Sequence, residues 1–245
     1  MISFTIQIAG CIAEVSAIYD STRLFCNEYL CSGRPDFSVT ITRADLALER
    51  EKSIQQDRID GIPPREFPDM YLETVALHRK IAEELFRFRT LMFHGSVVAV
   101  DGVGYLFSAK SGTGKSTHAA LWRQLLGNRA IMINDDKPML RMDGEQVLVY
   151  GTPWNGKHRL STNTCVPLRA ICVLERSATN RICPIAAREA LIPLFQQSNR
   201  PMDPALMPRY MELIDQLASC VRFYRLSCNM EPEAAQIAFN TLSAE

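Results

Sequence analysis

The chain has 245 residues, 47% of them hydrophobic, with 27 basic and 27 acidic side chains. It is long enough to bury a sizeable core, as one large domain or as a medium domain with an appendage. Its balanced charge gives no overall attraction to nucleic acid or anionic membranes, and no stretch approaches the roughly 20 apolar residues that a bilayer demands. We therefore expect no nucleic-acid partner, no membrane partner and a cytoplasmic location.

Residues 1–66 are predicted to form a small α+β region that serves substrate or partner recognition. Alternating apolar residues and a helix-like stretch predict three elements: a strand at 2–8, a helix at 21–30 and a strand at 37–41. A charged run at 43–60 then leads into the turn-rich residues 61–64. We expect a domain boundary there, with a second domain at 67–245.

The second domain is predicted to be α/β, with a mixed, largely antiparallel sheet. Helical spacing predicts a helix at 68–89, and apolar runs on both sides of residues 101–104 predict a hairpin. A second hairpin, predicted at 139–150, disfavours an all-parallel arrangement. The other predicted elements are strands at 91–93, 130–133, 168–174, 181–185 and 221–226, and helices at 117–126, 187–197, 204–218 and 232–242.

A glycine-rich segment at 108–117, SAKSGTGKST, joins a strand to a helix. Gly112 and Gly114 allow backbone conformations that a Cβ blocks, so successive N–H groups can face anionic oxygens beside the positive end of the helix. This pattern predicts a loop that cradles a nucleoside triphosphate, with Lys115 at the β and γ phosphates and Ser116 on Mg²⁺. Ala109 stands where the motif usually begins with glycine. The alternative is a turn with a surface lysine. The expected nucleotide contacts are Ser111, Gly112, Thr113, Gly114, Lys115, Ser116 and Thr117.

Two adjacent carboxylates, Asp135 and Asp136, follow the buried strand predicted at 130–133. Like charges this close are costly unless a divalent cation or a proton relieves them. We expect one aspartate to share the metal with Ser116 and the other to orient or deprotonate an attacking hydroxyl. Lys137 can moderate their repulsion. The alternative is a pair that merely initiates a turn.

Three further observations leave alternatives open. His94 ends the strand predicted at 91–93 and either binds metal, stabilises the transferring group or is structural. Lys157, His158 and Arg159 lie in a predicted loop that either contacts an anion or is simply solvated. The eight cysteines lack zinc spacing, which favours buried, reduced thiols.

Three motifs occur in order: His94-Gly95-Ser96, the loop at 111–116, and Asn134-Asp135-Asp136. Over about residues 90–160 they resemble the HPr kinase/phosphorylase C-terminal domain and ATP-dependent phosphoenolpyruvate carboxykinase. The resemblance implies a phosphoenolpyruvate carboxykinase-like nucleotide-binding fold. It also implies roles for His94 and Asp136, since the corresponding residues bind a transition metal in the carboxykinase and the aspartate activates serine in HPr kinase. The chain is too short for the carboxykinase, and residues 154–159 stand in place of the later HPr kinase signature.

The leading hypothesis is an ATP- and Mg²⁺-dependent kinase, with Mn²⁺ as an alternative metal. It would move the γ-phosphate to a serine-like hydroxyl of a peptide, protein or small metabolite, using Asp136, Asp135, His94 and Lys115 as catalytic residues. The alternatives are a nucleotide-binding regulatory or interaction module with little turnover, and carboxykinase-like decarboxylation. The sequence leaves open the acceptor, the phosphoryl donor and whether the chain forms a homo-oligomer.

Overall fold

A computed structural model describes residues 1–244. Two compact units divide between Leu85 and Phe86. In the part of the chain that the structure describes, no helix combines the length and the apolar character needed to cross a membrane.

The elements of the N-terminal unit are β1 (Ile2–Ile8), β2 (Cys11–Ala17), α1 (Asp20–Phe25), β3 (Phe37–Thr40), α2 (Arg43–Ile59) and α3 (Asp69–Leu85). Its three-stranded sheet has the order β1-β2-β3, with β1 antiparallel to β2 and β2 parallel to β3. Strand β2 was not predicted. Its buried residues alternate along the strand, but most of them are small, so the pattern is weak in the sequence.

Helix α2 occupies the charged run that was expected only to lead into a boundary. The Thr42 hydroxyl accepts from the Asp45 backbone N–H, and the Asp45 carboxylate accepts from the Thr42 N–H, which forms a capping box. Two of its three buried residues are Glu49 and Asp57. The buried face is therefore partly charged, which is why hydrophobic spacing did not reveal the helix.

The predicted boundary after residue 66 is too early as a division of compact structure, because helix α3 belongs to the N-terminal unit. Buried Glu73 of α3 accepts hydrogen bonds from the backbone of Ile18 and Tyr19 and from the Thr22 hydroxyl. Arg79 of α3 pairs with Glu49 of α2 at 2.5 Å. These contacts of two buried carboxylates fix α3 to the segment that follows β2, to α1 and to α2. A recognition task for residues 1–66 stays a prediction.

The C-terminal unit is α/β, and its mixed, largely antiparallel sheet confirms that part of the prediction. Its strands are β4 (Thr90–Met92), β5 (Ser96–Val100), β6 (Val103–Ser108), β7 (Ala130–Asn134), β8 (Met139–Asp143), β9 (Gln146–Tyr150), β10 (Cys165–Arg176), β11 (Arg181–Ile185) and β12 (Arg222–Cys228). The sheet follows the order β4-β8-β9-β10-β6-β5-β7, and β12 pairs with both β10 and β11. Strand β10 runs parallel to β6 and β12, whereas the other strand pairs of this sheet among the described residues are antiparallel.

Helices cover both faces of this sheet, and their bounds lie close to the predicted ones. One core contains Phe107 of β6 with Trp122 and Ala238 of the helices on that face. The other contains Leu106 with Leu194 and Leu213. Neighbouring residues of β6 thus enter opposite cores, as the alternation of a strand requires. The helices are α4 (Lys115–Leu126), α5 (Ala187–Gln197), α6 (Met207–Cys220) and α7 (Pro232–Ser243).

The strand directions bring the candidate residues to one edge of the sheet. Strand β5 is antiparallel to both β6 and β7, so β6 and β7 run the same way and end at the same edge, at Ser108 and Asn134. Strand β10 runs parallel to β6, with Val173 opposite Ser108. The glycine-rich loop therefore leaves a strand with one antiparallel and one parallel neighbour.

Candidate active site

The loop between β6 and α4 has the backbone that its glycines predicted. Gly112 has φ +77° and Gly114 has φ +127°, conformations that side-chain-bearing residues rarely adopt. Gly114 is the residue before α4, and no side chain caps the first turn of this helix. Since uncapped N–H groups at a helix start attract anions, the loop and the first turn of α4 are suited to phosphate.

Lys115, the first residue of α4, is buried, and its Nζ donates to the Ala109 carbonyl at 3.0 Å. Burial lowers the pKa of Lys115, and the charge of Asp136 opposes that shift. The ammonium therefore lies over the loop from which it extends, within the electrostatic reach of the acidic residues. Ser116 is half-buried and Thr117 is exposed in the same turn.

Asn134 builds the turn that carries the two aspartates. Its side-chain oxygen accepts from the backbone N–H of Asp136 at 2.8 Å and of Lys137 at 2.7 Å. Its side-chain amide donates to the carbonyl and the hydroxyl of Thr152, both at 3.0 Å. Because Asn134 forms the turn, neither carboxylate is needed for that purpose.

The two carboxylates contact different partners. Buried Asp135 accepts from the Ser96 hydroxyl at 2.8 Å. Asp136 Oδ1 lies 3.3 Å from His94 Nε2 and 3.0 Å from Lys137 Nζ. Burial opposes ionisation of Asp136, but the hydrogen bond from His94 and the charge of Lys137 outweigh it and lower the pKa of Asp136 to about 2. Only the family resemblance linked His94 with Asp136 at the level of the sequence, and the structure brings the two side chains into contact.

The residues at this edge offer few metal ligands. Within residues 1–244, no three His, Cys, Asp or Glu side chains are grouped so that they could hold a metal ion. Mg²⁺ commonly takes only one or two protein carboxylates and completes its shell with phosphate oxygens and water. An acidic turn beside the glycine-rich loop is compatible with that mode of binding. Roles for Ser116, Asp135 and Asp136 as metal ligands stay predictions.

The segment 154–160 lies directly against the acidic turn. The Lys137 N–H donates to the Trp154 carbonyl at 3.2 Å, and the Asp135 N–H donates to the Leu160 carbonyl at 3.1 Å. A Cβ added at Gly156 would lie 3.2 Å from the Asp136 Cβ. Between these anchors, residues 157–159 expose their side chains. The predicted anion contacts of Lys157, His158 and Arg159 stay open, but their loop is next to Asp136.

A cavity of about 440 Å³ opens beside the loop, between β10 and α5. Its wall includes Ser108 and Gln197. The Ser108 hydroxyl lies 3.4 Å from the backbone carbonyl of His94, and the backbone carbonyl of Gln197 accepts from the backbone N–H of His94 at 2.6 Å. The cavity thus lies next to the His94 backbone and is large enough for a small ligand group. Sequence patterns could not reveal it, because it depends on how α5 packs against the sheet.

Sequence reasoning also missed Arg176, the last residue of β10. Its guanidinium donates to the Gly112 carbonyl and, through Nε at 3.2 Å, to the Thr113 carbonyl.

None of the eight cysteines, all of which lie within the described residues, forms a disulfide. The expectation of burial holds for Cys11, Cys26 and Cys172, whereas Cys165 is exposed.

No protein-family model matches this chain, and no curated protein matches it. Among solved structures, the Hpr(Ser) kinase/phosphatase from Coxiella burnetii matches 61% of this chain and 95% of its own, with a TM-score of 0.35 and 10% sequence identity. This is a weak likeness at the level of the fold, and no family is assigned from it. The candidate site rests on the contacts described above.

Proposed function

We propose that this chain binds ATP with Mg²⁺ and transfers the γ-phosphate to a serine-like hydroxyl of a peptide, protein or small metabolite. One observation carries the proposal: a glycine-rich loop with buried Lys115 and the hydrogen-bonded pair His94–Asp136 meet at one edge of the sheet. Phosphoryl transfer depends mainly on positioning and on neutralising charge. The residues at this edge are suited to both tasks.

The loop would hold the triphosphate through backbone N–H groups at Gly114 and at the start of α4. Lys115 would leave the Ala109 carbonyl and neutralise the β and γ phosphates. Bound Mg²⁺ would supply a further positive charge, with Ser116 and one aspartate as its protein ligands. Each of these roles follows from the chemistry of the residues present.

Asp136 is better suited to orienting the acceptor hydroxyl or binding metal than to taking a proton. A carboxylate whose pKa is about 2 is a weak base at neutral pH. Its contacts with His94 and Lys137 keep it ionised and fixed. In a loose phosphoryl-transfer transition state, the hydroxyl needs alignment more than early loss of its proton.

Labelling tests the transfer directly. Purified protein incubated with Mg²⁺, γ-labelled ATP and a cell extract should label an acceptor, and Asp136→Asn should reduce that label by about 100-fold or more. Asp215→Asn, which changes an exposed aspartate on α6, is the matched control and should label as the parent does. Label released only as free phosphate would contradict transfer to a hydroxyl.

A second candidate is a nucleotide-binding regulatory module with little turnover. The low pKa of Asp136 favours it as well, because such a module needs the loop but no base. Tight ATP binding without turnover, unchanged in Asp136→Ala, would support this function over the kinase.

A further inference from the structure

Arg176 extends from a rigid base beside the glycine-rich loop. Strand β10 runs parallel to β6 with Val173 opposite Ser108, so the end of β10 continues alongside the loop. On its other side, Arg176 is opposite Cys228 of β12, and the Ser177 N–H donates to the Cys228 carbonyl at 3.0 Å. The backbone of Arg176 is therefore fixed by strand pairing.

The guanidinium of Arg176 contacts two successive carbonyls of the loop, those of Gly112 and Thr113. In a trans peptide unit the C=O and the next N–H point in opposite directions. A carbonyl of Thr113 that faces Arg176 therefore directs the Gly114 N–H to the other side of the loop. The Gly112 carbonyl has the same effect on the Thr113 N–H, which points across the loop to the Lys110 carbonyl at 3.2 Å.

The charge of Arg176 is not balanced by a carboxylate. Its neighbour Glu175 pairs with Arg225 at 3.2 Å. Arg176 itself forms no ion pair within residues 1–244, and its side-chain contacts are with loop carbonyls. A planar fork of donors suits two adjacent acceptors better than the single ammonium of lysine would.

We propose that Arg176 is a positioning residue that presets the loop for a triphosphate. It holds the peptide plane between Thr113 and Gly114 so that the Gly114 N–H faces the phosphates, and it adds positive charge behind the loop. This inference rests on the proposed nucleotide-binding function. Because Arg176 acts on the loop and not on the reacting atoms, its loss should raise the KM for ATP much more than it lowers kcat.

Calorimetry with Mg·ATP on the parent and four variants measures the contribution of Arg176 to nucleotide affinity. Arg176→Ala should bind about tenfold more weakly than the parent, since it loses two solvent-exposed hydrogen bonds to the loop. Arg176→Lys keeps the charge and Arg176→Gln keeps a donor, so each should restore part of the affinity. Arg181→Ala changes another exposed arginine, whose side chain makes no hydrogen bond or ion pair within residues 1–244, and it should bind as the parent does.

The outcomes distinguish this inference from the proposed function. If the parent binds ATP and Arg176→Ala binds equally well, the role of Arg176 is refuted while nucleotide binding stands. If Arg176→Ala also melts well below the parent without ligand, its effect is structural and the positioning role is refuted. If the parent binds no ATP, the proposed function fails together with this inference.

Discussion

Replacing Asn134 with alanine should destabilise the C-terminal unit and displace the acidic turn without removing any proposed ligand contact. The fully buried side chain of Asn134 makes four hydrogen bonds, two to the N–H groups of Asp136 and Lys137 and two to Thr152. Each such bond contributes about 0.5–1.5 kcal/mol net, and buried groups left unpaired cost more. Because water can enter the space left by the side chain and hydrogen-bond some of these groups, we expect the free energy of unfolding to fall by about 2–4 kcal/mol.

Urea unfolding followed by circular dichroism measures this loss. Asn128→Ala, at an exposed asparagine in the turn after α4, is the control and should stay within about 0.5 kcal/mol of the parent. Asn134→Ala should also weaken Mg·ATP binding if Asp136 helps to hold the metal. An Asn134→Ala protein as stable as the Asn128→Ala control would refute the assignment of Asn134 as the organiser of the turn.

Three other predictions concern single side chains. The folded-state pKa of Asp136 lies below its ordinary value, so the ionised side chain stabilises the fold above about pH 4, and this stabilisation is lost as the pH falls toward 2. Urea titrations from pH 5 to pH 2 should show the free energy of unfolding falling by up to about 2 kcal/mol more in the parent than in Asp136→Asn, with solvent screening reducing this difference. The same fall in both proteins would contradict this. Ser96→Ala should cost about 1–2 kcal/mol by the same assay because Asp135 loses its hydroxyl donor, and no change would show that this contact contributes nothing. Glu73→Ala should lower the stability of the N-terminal unit by about 3 kcal/mol or more, because three donors lose one buried acceptor. Fragment-resolved hydrogen exchange should show faster exchange within residues 1–85, and unchanged protection there would contradict this prediction.

Local patterns were sufficient to predict the elements with strong periodicity. The strand at 2–8, the hairpin around Asp101 and Gly102 and the helix after Lys115 form close to their predicted positions. Helix α2 was missed because its buried face carries Glu49 and Asp57, each in an ion pair with an arginine. The sequence of this face therefore lacks the apolar periodicity that predicts a helix. Its capping residues Thr42 and Asp45 were the available signal.

The candidate site was predicted where its residues form short motifs, and missed where it depends on tertiary pairing. In the sequence, the loop glycines form a recognisable phosphate-binding pattern, and Asp136 and His94 are titratable residues at the ends of predicted strands. Arg176 reaches the loop only because β10 pairs with β6, a contact between segments more than 60 residues apart. Asn134 was noticed as part of a motif, but its role in the turn required the position of Thr152.

Every role proposed for this site requires that the loop around Gly112 and Gly114, with Lys115, bind a triphosphate. Isothermal titration of the parent with Mg·ATP, and separately with adenosine, measures that binding. Saturable heat with ATP, little or none with adenosine, and loss of the ATP signal in a folded Lys115→Ala protein are the predicted results. No heat with ATP, or equal binding by the parent and Lys115→Ala, would show that the loop does not hold a triphosphate.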